Sequence, residues 1–587
     1  MAVSRQNTRS QLQIYTIPDP TIVMSLPIQI AVVQHNPKVG DVSGNCSQII
    51  EGYSQAASAG AELVVTPELA LLGYPPRDLL HRQSVIKAER AALNELQCAT
   101  EDGPALIAGH TADSTRESGP PLMNSATAFV DGEATVRYDK RLLPTYDIFD
   151  EHRYFSRGNK PQTVVIDGVT VGITICEDAW YDHEVTGQQR HGTDPVAAYD
   201  DVDLLVNLSA SPYRVNKPSS RITRFGNHAQ NTSTPVVFAN QVGGNDDILF
   251  DGTSVILDAV GATVTSAPVG KPHVLLNSSN VGSPESVVPP ETTQLRRMLE
   301  LGIRDYLHKT GFKDVVIGLS GGIDSSVTAA LAAEAIGPEH VYGITLPSAV
   351  TADENRTDAE HVARNLEIQF GEEEIESLSK TAIESIAGLT EGEATRSVTR
   401  ENVQARVRGL LLMGVANDSD ALVLTPDNKS EAAVGYCTLY GDAVGAVAPL
   451  GDCTKRRVYA LAESFNADPP QWIDSAPIPD SILEKAPTAE LAEGQTDEDE
   501  IPPYDAVDSV VRQYVDNKNS VEEIINETDA TREQIKTVVQ RLTRSEFKRE
   551  QTPPALRVTT KAFDSGWRYP IAASYAEIVE SGSGNAS

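Results

Sequence analysis

Glu68, Lys140 and Cys176 are the residues whose types could do chemistry on an amide. Each reads as a loop residue at a strand end: Glu68 in TPELALLGYPPRDLL, Lys140 in YDKRLLPTYDIFDEHRYF and Cys176 in VGITICEDAW. A carboxylate can take a thiol proton, the thiolate can attack an amide carbon, and an ammonium can hold the oxyanion that forms. Taken singly, each has a plainer reading, as a helix cap, a surface charge and a small buried hydrophobe. A second stretch, VVIGLSGGIDSSVTAALAAEAIG at residues 315–337, offers different chemistry. A β-branched run meets the turn Ser320-Gly321-Gly322, and an Ala/Leu-rich helix pattern then ends at Gly337. Adjacent glycines let backbone approach a ligand, and the amides opening a helix attract anions, so a phosphate chain is the expected guest. Asp324 would repel that chain unless a cation lies between them, which implies Mg²⁺. No Gly-Lys-Ser/Thr follows the glycines, so this is not a Walker A loop.

The elements that must position these residues alternate. In the first half, strands are expected at residues 30–33, 63–66, 105–108, 126–130, 164–166, 171–175, 204–208 and 236–239, with a helix at 45–59. In the second half, a helix at 291–309 precedes the phosphate loop, and strands are expected at 315–319, 341–346 and 421–424. A helix at 401–416 is expected too, and Thr351 and Glu354 have capping-box spacing. The reading is α/β throughout: a layered domain at 27–275, a Ser/Pro/Gly-rich linker at 276–290, a doubly wound parallel sheet at 291–572 and a tail at 573–587. Residues 1–26 read as a disordered leader, with Met24 a possible true start.

Composition bounds the setting. The 587 residues carry 82 acidic and 48 basic side chains, a net charge of −34, with 32 Arg against 16 Lys. Such a surface repels nucleic acid, and nothing resembles a transmembrane span or a secretory signal. Five cysteines without metal-ligand spacing argue against a disulfide framework and for a reducing cytoplasm. An acidic, lysine-poor surface also suits a salt-rich interior where self-repulsion is screened, so a halophilic source is expected.

In these contexts and this order, residues 27–270 resemble the nitrilase (carbon–nitrogen hydrolase) superfamily. The resemblance implies an αββα sandwich with Glu68 as general base, Lys140 as oxyanion lysine, Cys176 as nucleophile and Glu151 as the additional acidic residue. It also implies glutamine contacts from Tyr146, Trp180 and a serine of NLSASPY, Ser209 or Ser211. SGGIDSS resembles the loop of the ATP pyrophosphatase superfamily (adenine nucleotide alpha hydrolase-like fold), whose members split ATP into AMP and pyrophosphate. Four further segments, ENVQARVRGLLLMGVAN, TPDNKSEAAVGYCTLYGD, APLGDCTKRRVYALA and EKAPTAELAEGQTDEDEIPPYD, and the closing FKREQTPPALRVTTKAF, are similar to the synthetase domain of the NAD⁺ synthetase family. Over nearly its whole length the chain thus resembles glutamine-dependent members of that family. ATP contacts are implied at Gly318, Leu319, Ser320, Gly321, Gly322, Ile323, Asp324, Ser325, Ser326 and Thr425. Deamido-NAD⁺ contacts are implied at Arg406, Glu431, Tyr440, Asp442 and Lys548, the last from a mobile loop, and Mg²⁺ ligands at Asp324 and Glu431. L-Glutamine, ATP and deamido-NAD⁺ are the implied partners, in a homo-oligomer. Two departures concern the substrate loops: Thr425-Pro-Asp-Asn where Gly commonly precedes the Asn, and Glu550 after Lys548-Arg549. Another ATP-pyrophosphatase amidotransferase acting on a different acceptor, or a nucleotide-binding regulator with a dead catalytic domain, are the alternatives.

Overall fold

The computed structural model describes residues 26–575 except 183, 186, 187, 190, 200, 279–287, 391–395, 489–495 and 565. The expectations for Met24 and the leader, most of the linker, and the tail beyond 575 lie outside the described residues. The first half contains β1 (Ile30–Gln34), α1 (Val42–Ser58), β2 (Leu63–Val65), α2 (Gln83–Ala99), β3 (Ala105–Asp113), β4 (Leu122–Val130), β5 (Glu133–Asp139), β6 (Thr163–Ile166) and β7 (Val169–Ile175). Then follow β8 (Glu184–Val185), β9 (Gln188–Gln189), β10 (Leu204–Ser209), α3 (Lys217–Thr232), β11 (Val236–Asn240), β12 (Val242–Asn245), β13 (Ile248–Asp251), β14 (Val255–Leu257), β15 (Thr263–Ser266) and β16 (His273–Leu276).

Two six-stranded sheets result, ordered β16-β1-β2-β3-β4-β5 and β15-β14-β11-β10-β7-β6. Their central pairs are parallel and their rims antiparallel. Successive strand residues serve opposite faces, and both faces are covered, which is why these strands read as unbroken apolar runs. Ile30, Val32, Leu63 and Val65 pack with Val171, Ile173, Leu204 and Val206 between the sheets. Ala31, Val33 and Val64 face α1 and α2 on one outside, and Leu205, Val236 and Phe238 face α3 on the other. The layers are therefore αββα, as expected.

The second half runs α4 (Glu291–Thr310), β17 (Val315–Gly318), α5 (Ile323–Ile336), β18 (Val341–Thr345), α6 (Asp353–Asn365), β19 (Gln369–Glu372), α7 (Glu376–Leu389), α8 (Ser397–Ser419), β20 (Leu422–Leu424) and α9 (Lys429–Val434). It closes with α10 (Lys455–Ala467), α11 (Asp480–Glu484), α12 (Tyr504–Val511), α13 (Val521–Glu527), α14 (Arg532–Arg544) and α15 (Glu546–Arg549). The sheet is parallel, ordered β19-β18-β17-β20, with α4, α5 and α10 on one face and α7 and α8 on the other. Strand order reverses at β17, so a crevice opens at the carboxyl ends of β17 and β20, where such sheets take ligands. Helices α12, α13 and α14 form a separate small core against α9.

The halves are joined through α4. Asp305 accepts hydrogen bonds from the Gly244 amide and Asn36 Nδ2, each at 2.7 Å. One turn on, Lys309 Nζ donates to Asn36 Oδ1, Pro37 O, Gly244 O and Asn245 Oδ1 at 2.7–2.9 Å. Tyr213, Val242 and Leu249 of the first half share a core with Leu295, Met298 and Leu299 of α4. Among the described residues no helix is long and apolar enough to cross a membrane.

Helix α1 starts earlier than expected because Asp41 caps it, accepting from the Gly44 amide at 3.0 Å. The Thr351/Glu354 capping box does not form: Ala352 is the N-cap of α6, and Thr351 Oγ1 instead accepts from the Ser348 amide at 3.1 Å. Ser and Thr satisfy a tight turn as readily as a helix end, and here the turn after β18 wins.

Candidate active sites

In the first half, Glu68, Lys140, Glu151 and Cys176 converge at the carboxyl ends of the strands. Lys140 Nζ lies 2.6 Å from Glu68 Oε1 and 2.8 Å from Glu151 Oε1, with all three side chains at most 4% exposed. Glu68 also accepts from Asn124 Nδ2 at 2.7 Å and the Ala210 amide at 2.9 Å, and Glu151 from the Tyr74 hydroxyl at 2.9 Å. Gly109 makes this possible: a Cβ there would lie 2.3 Å from Pro67 O and 2.9 Å from Glu68 Cα, so only glycine lets the Glu68 turn cross β3. Cys176 is buried and sits at φ +44°, a left-handed conformation that lifts it off the end of β7.

Asp178 ties this turn to the lysine loop. It accepts from the Ile175 amide at 3.0 Å, the Arg141 and Leu142 amides at 3.1 and 2.8 Å, and the Tyr138 hydroxyl at 2.8 Å. Electrostatics fix the resting state. Burial opposes the charge of Lys140, but Glu151 and Glu68 outweigh it and hold the ammonium well above its usual range. Burial, then Glu68, pushes the Cys176 thiol up, so the sulfur rests protonated and needs a base. Burial, opposed by Lys140, leaves Glu151 at about 7.

Ionising Glu151 strengthens its own pairing with Lys140, which is shared with Glu68 at 2.6 Å, and so frees the Glu68 oxygen to reach the thiol proton. Glutamine hydrolysis is therefore expected to rise as pH passes about 7, the value burial gives Glu151, and Glu151→Gln to lack that rise. Glutamate release measured from pH 6 to 9 for both proteins checks this; superimposable profiles contradict it.

Around Cys176, the Tyr146 hydroxyl donates to Glu177 Oε2 at 2.9 Å, and His191 Nε2 lies 3.0 Å from Glu177 Oε1. The Trp180 ring has Arg224 at 4.5 Å and Lys217 Nζ at 6.0 Å from its centre. Of the two candidate serines, Ser209 is committed inward, donating to Asn207 Oδ1 at 2.7 Å, which continues to Thr174. Ser211 lies on the segment gripped by Arg221, which donates to Ser211 O at 3.3 Å while pairing with both Asp251 oxygens at 3.0 and 3.1 Å. Glu177, Lys217 and Arg221 were not singled out in the sequence, although Glu177 stands beside the cysteine.

In the second half the loop between β17 and α5 knits itself together. Ser320 Oγ is 3.2 Å from Ser325 Oγ and accepts from the Gly322 amide at 3.1 Å, while Ser325 and Ser326 donate to Gly322 O at 3.0 and 2.8 Å. Gly321 has φ +77°, and a Cβ there would lie 2.2 Å from Asn355 O, so glycine is required on both counts. Gly318, Leu319, Ser320, Gly322, Ile323, Asp324 and Ser325 line a cavity of about 240 Å³ shared with Glu431, Asp442 and Lys455. Asp324 accepts from Asn428 Nδ2 at 2.9 Å and meets Lys455 Nζ at 2.6 Å, and Lys455 is also 3.1 Å from Glu431 Oε1. Asn428 caps α9, accepting from the Ser430 and Glu431 amides at 3.0 Å each, so one side chain sets both carboxylates.

Other expected contacts are placed elsewhere. Thr425 is buried with its hydroxyl on Val444 O at 2.7 Å and does not line the cavity. Arg406 donates to Leu439 O at 3.1 Å from the exposed side of α8, whereas Arg408 lines the cavity. Tyr440 is 62% exposed and bonded to Gln551. Lys548 is on helix α15 rather than a mobile loop, and it donates to Gly435 O and Cys437 O at 2.6 and 2.7 Å, closing the end of α9. Lys455, Asp497 and Tyr504 were missed, though each lies inside a segment whose family likeness is visible.

The donor set fits a magnesium ion. Asp324 and Glu431 already share one cation, and Asp497 Oδ1 is buried without a hydrogen-bond partner. Among the described residues no group of three His, Cys, Asp or Glu side chains is placed to hold a metal.

The carbon–nitrogen hydrolase family matches residues 29–277, and the NAD synthase family matches residues 295–552. The chain is 40% identical to the glutamine-dependent NAD(+) synthetase of Synechocystis over 93% of this chain and 99% of that one. It is 35% identical to that of Thermotoga maritima over 94% and 99%. A solved glutamine-dependent NAD+ synthetase from Acinetobacter baumannii, in complex with adenosine diphosphate, superposes with a TM-score of 0.72 at 32% identity, covering 93% of this chain and 98% of that one.

Proposed function

The chain belongs to the family of glutamine-dependent NAD⁺ synthetases, and from that premise we propose how its two sites divide the work. The enzyme is a ligase that amidates deamido-NAD⁺ to NAD⁺ at the expense of ATP, with glutamine as nitrogen donor. Residues 27–275 are proposed as the glutaminase, 276–290 as the linker and 291–572 as the synthetase.

In the glutaminase, Glu68 takes the proton of Cys176, and the sulfur attacks the glutamine amide carbon. Lys140 holds the developing oxyanion, a charge it can meet without reorganising because Glu68 and Glu151 already fix it. The proton taken by Glu68 passes to the leaving nitrogen, ammonia departs, and water then attacks the thioester to release glutamate. Tyr146, Glu177 and Trp180 are proposed to hold the amino acid.

In the synthetase, the loop Ser320–Ser326 and the α5 amides receive the phosphates of ATP, and the nicotinate carboxylate of deamido-NAD⁺ attacks the α-phosphorus. Pyrophosphate leaves, and ammonia attacks the resulting nicotinyl adenylate to give NAD⁺ and AMP. Asp324 and Glu431 would hold the magnesium ion, which when bound neutralises charge on the phosphate chain. Asn428 keeps both carboxylates aimed while that happens.

The observation that carries this reading is the coexistence, in one chain, of a buried lysine clamped by two carboxylates beside a thiol and a glycine turn feeding a paired Asp and Glu. Incubation with glutamine, ATP and deamido-NAD⁺ is expected to yield NAD⁺, AMP, pyrophosphate and glutamate in equal amounts. ADP in place of AMP would overturn the adenylation step.

We further propose a cytoplasmic homo-oligomer adapted to high salt. All five cysteines are free, which supports a reducing compartment, and the net charge of −34 supports the salt adaptation. Because added salt screens that self-repulsion, the midpoint of thermal unfolding is expected to climb steadily from 0.1 M to about 2 M KCl. A flat or falling midpoint contradicts the adaptation.

A further inference from the structure

Lys455 opens α10 with its backbone pinned. Its amide donates to Ser430 Oγ at 2.9 Å, and the next amide, of Arg456, donates to Asp508 Oδ2 at 3.0 Å. The side chain is 4% exposed, and its Nζ contacts Asp324 at 2.6 Å, Glu431 at 3.1 Å and the Tyr504 ring at 4.8 Å from its centre. The Tyr504 hydroxyl donates at 2.8 Å to Asp497, itself 4% exposed with one oxygen lacking a partner. One ammonium thus contacts two carboxylates, and a third, Asp497, lies behind the Tyr504 ring. Asn428 holds the other Asp324 oxygen, so Asp324 stays aimed whatever its charge partner is.

We propose that Lys455 is a place-holding cation: in the nucleotide-free protein it pairs with Asp324 and Glu431, and it surrenders both to a divalent cation as it moves onto the phosphates of ATP. The proposal rests on the reading of Asp324 and Glu431 as the cation ligands. A divalent ion bonded to the same two oxygens would occupy the space the ammonium fills, so the two cations compete. The four-carbon stem of lysine, with rotatable donors at its tip, suits such a swing. When nucleotide is absent, expelling Lys455 leaves a buried charge without phosphate to receive it, and metal binding is weak. When ATP is present its phosphates take the ammonium, so metal and nucleotide strengthen each other's binding.

Manganese serves as the probe, with free Mn²⁺ read by electron paramagnetic resonance in full-length, nucleotide-free protein. Lys455→Met is expected to bind Mn²⁺ roughly ten-fold or more tightly than wild type, the scale on which a neighbouring charge shifts ionic equilibria. Lys455→Arg is expected to stay as weak as wild type, and Asp324→Asn to bind none. Equal or weaker binding by folded Lys455→Met overturns the proposal, and Lys455→Gln replaces it if the methionine variant shows no cooperative unfolding. If wild type binds no Mn²⁺ even with ATP, the cation-ligand reading falls and this inference with it. If wild type binds Mn²⁺ with ATP yet neutralising Lys455 changes nothing, only the place-holder falls.

Discussion

Cys176→Ala is expected to lose glutamine-driven NAD⁺ formation by about 10⁴-fold or more, the scale of removing a covalent nucleophile, while ammonium-driven formation at raised pH stays within about three-fold of wild type. The asymmetry follows from where the residue sits. Cys176 ends β7 on the sandwich, and its neighbours Glu68, Lys140 and Glu151 belong to that half alone. Alanine tolerates the φ of +44° about as well as cysteine does, so the turn and its Asp178 bonds should persist. Supplying ammonium then bypasses the missing thiol. Assaying both donors side by side on the variant checks the division of labour, and equal loss with both would contradict it.

Asp324→Asn is expected to do the converse, lowering NAD⁺ formation from either donor by about 10²- to 10³-fold, the range seen when one preorganised charge-stabilising group is removed. Its carboxylate accepts from Asn428 at 2.9 Å and pairs with Lys455 at 2.6 Å, and an amide nitrogen placed there would oppose one of those donors. The variant therefore loses a cation ligand and misaligns the group that also aims Glu431. Glutamine hydrolysis by the sandwich should survive at its basal rate. Synthesis and glutamate release followed together test this; a variant that still forms NAD⁺ at the wild-type rate contradicts the role of Asp324.

Much of this was legible because local chemistry coincides with local structure. Cys176 directly follows the apolar strand β7, and Asp324 sits in the first turn of α5, just past the glycine turn that ends the apolar β17, so each stands out against Val, Ile and Leu. Gly321 could be read as a required glycine, and its φ of +77° bears that out. What escaped was decided by distance in sequence. Lys455 meets Asp324 across 131 positions, and Tyr504 reaches Glu431 across 73. Nothing in a lysine opening a helix, or in a tyrosine after two prolines, announces those partners.

Polar residues with a choice of partner were equally opaque. Ser209 turns to Asn207, Thr425 to Val444, and Lys548 to the carbonyls ending α9. Each bond is worth about 1 kcal/mol, too little for spacing alone to foretell which acceptor wins. Strand β5 went unnoticed for a related reason: four of its seven residues are polar, and it pairs on only one side, at the rim.

The central claim is that nitrogen freed beside Cys176 becomes the amide of NAD⁺ made at the Asp324 loop. The most direct measurement supplies [amide-¹⁵N]glutamine, ATP and deamido-NAD⁺ at neutral pH with excess unlabelled ammonium, and weighs the NAD⁺ formed by mass spectrometry. The account predicts NAD⁺ one mass unit heavy, with one glutamate and one AMP for each. Unlabelled NAD⁺ alongside released glutamate, or no NAD⁺ at all, would contradict it.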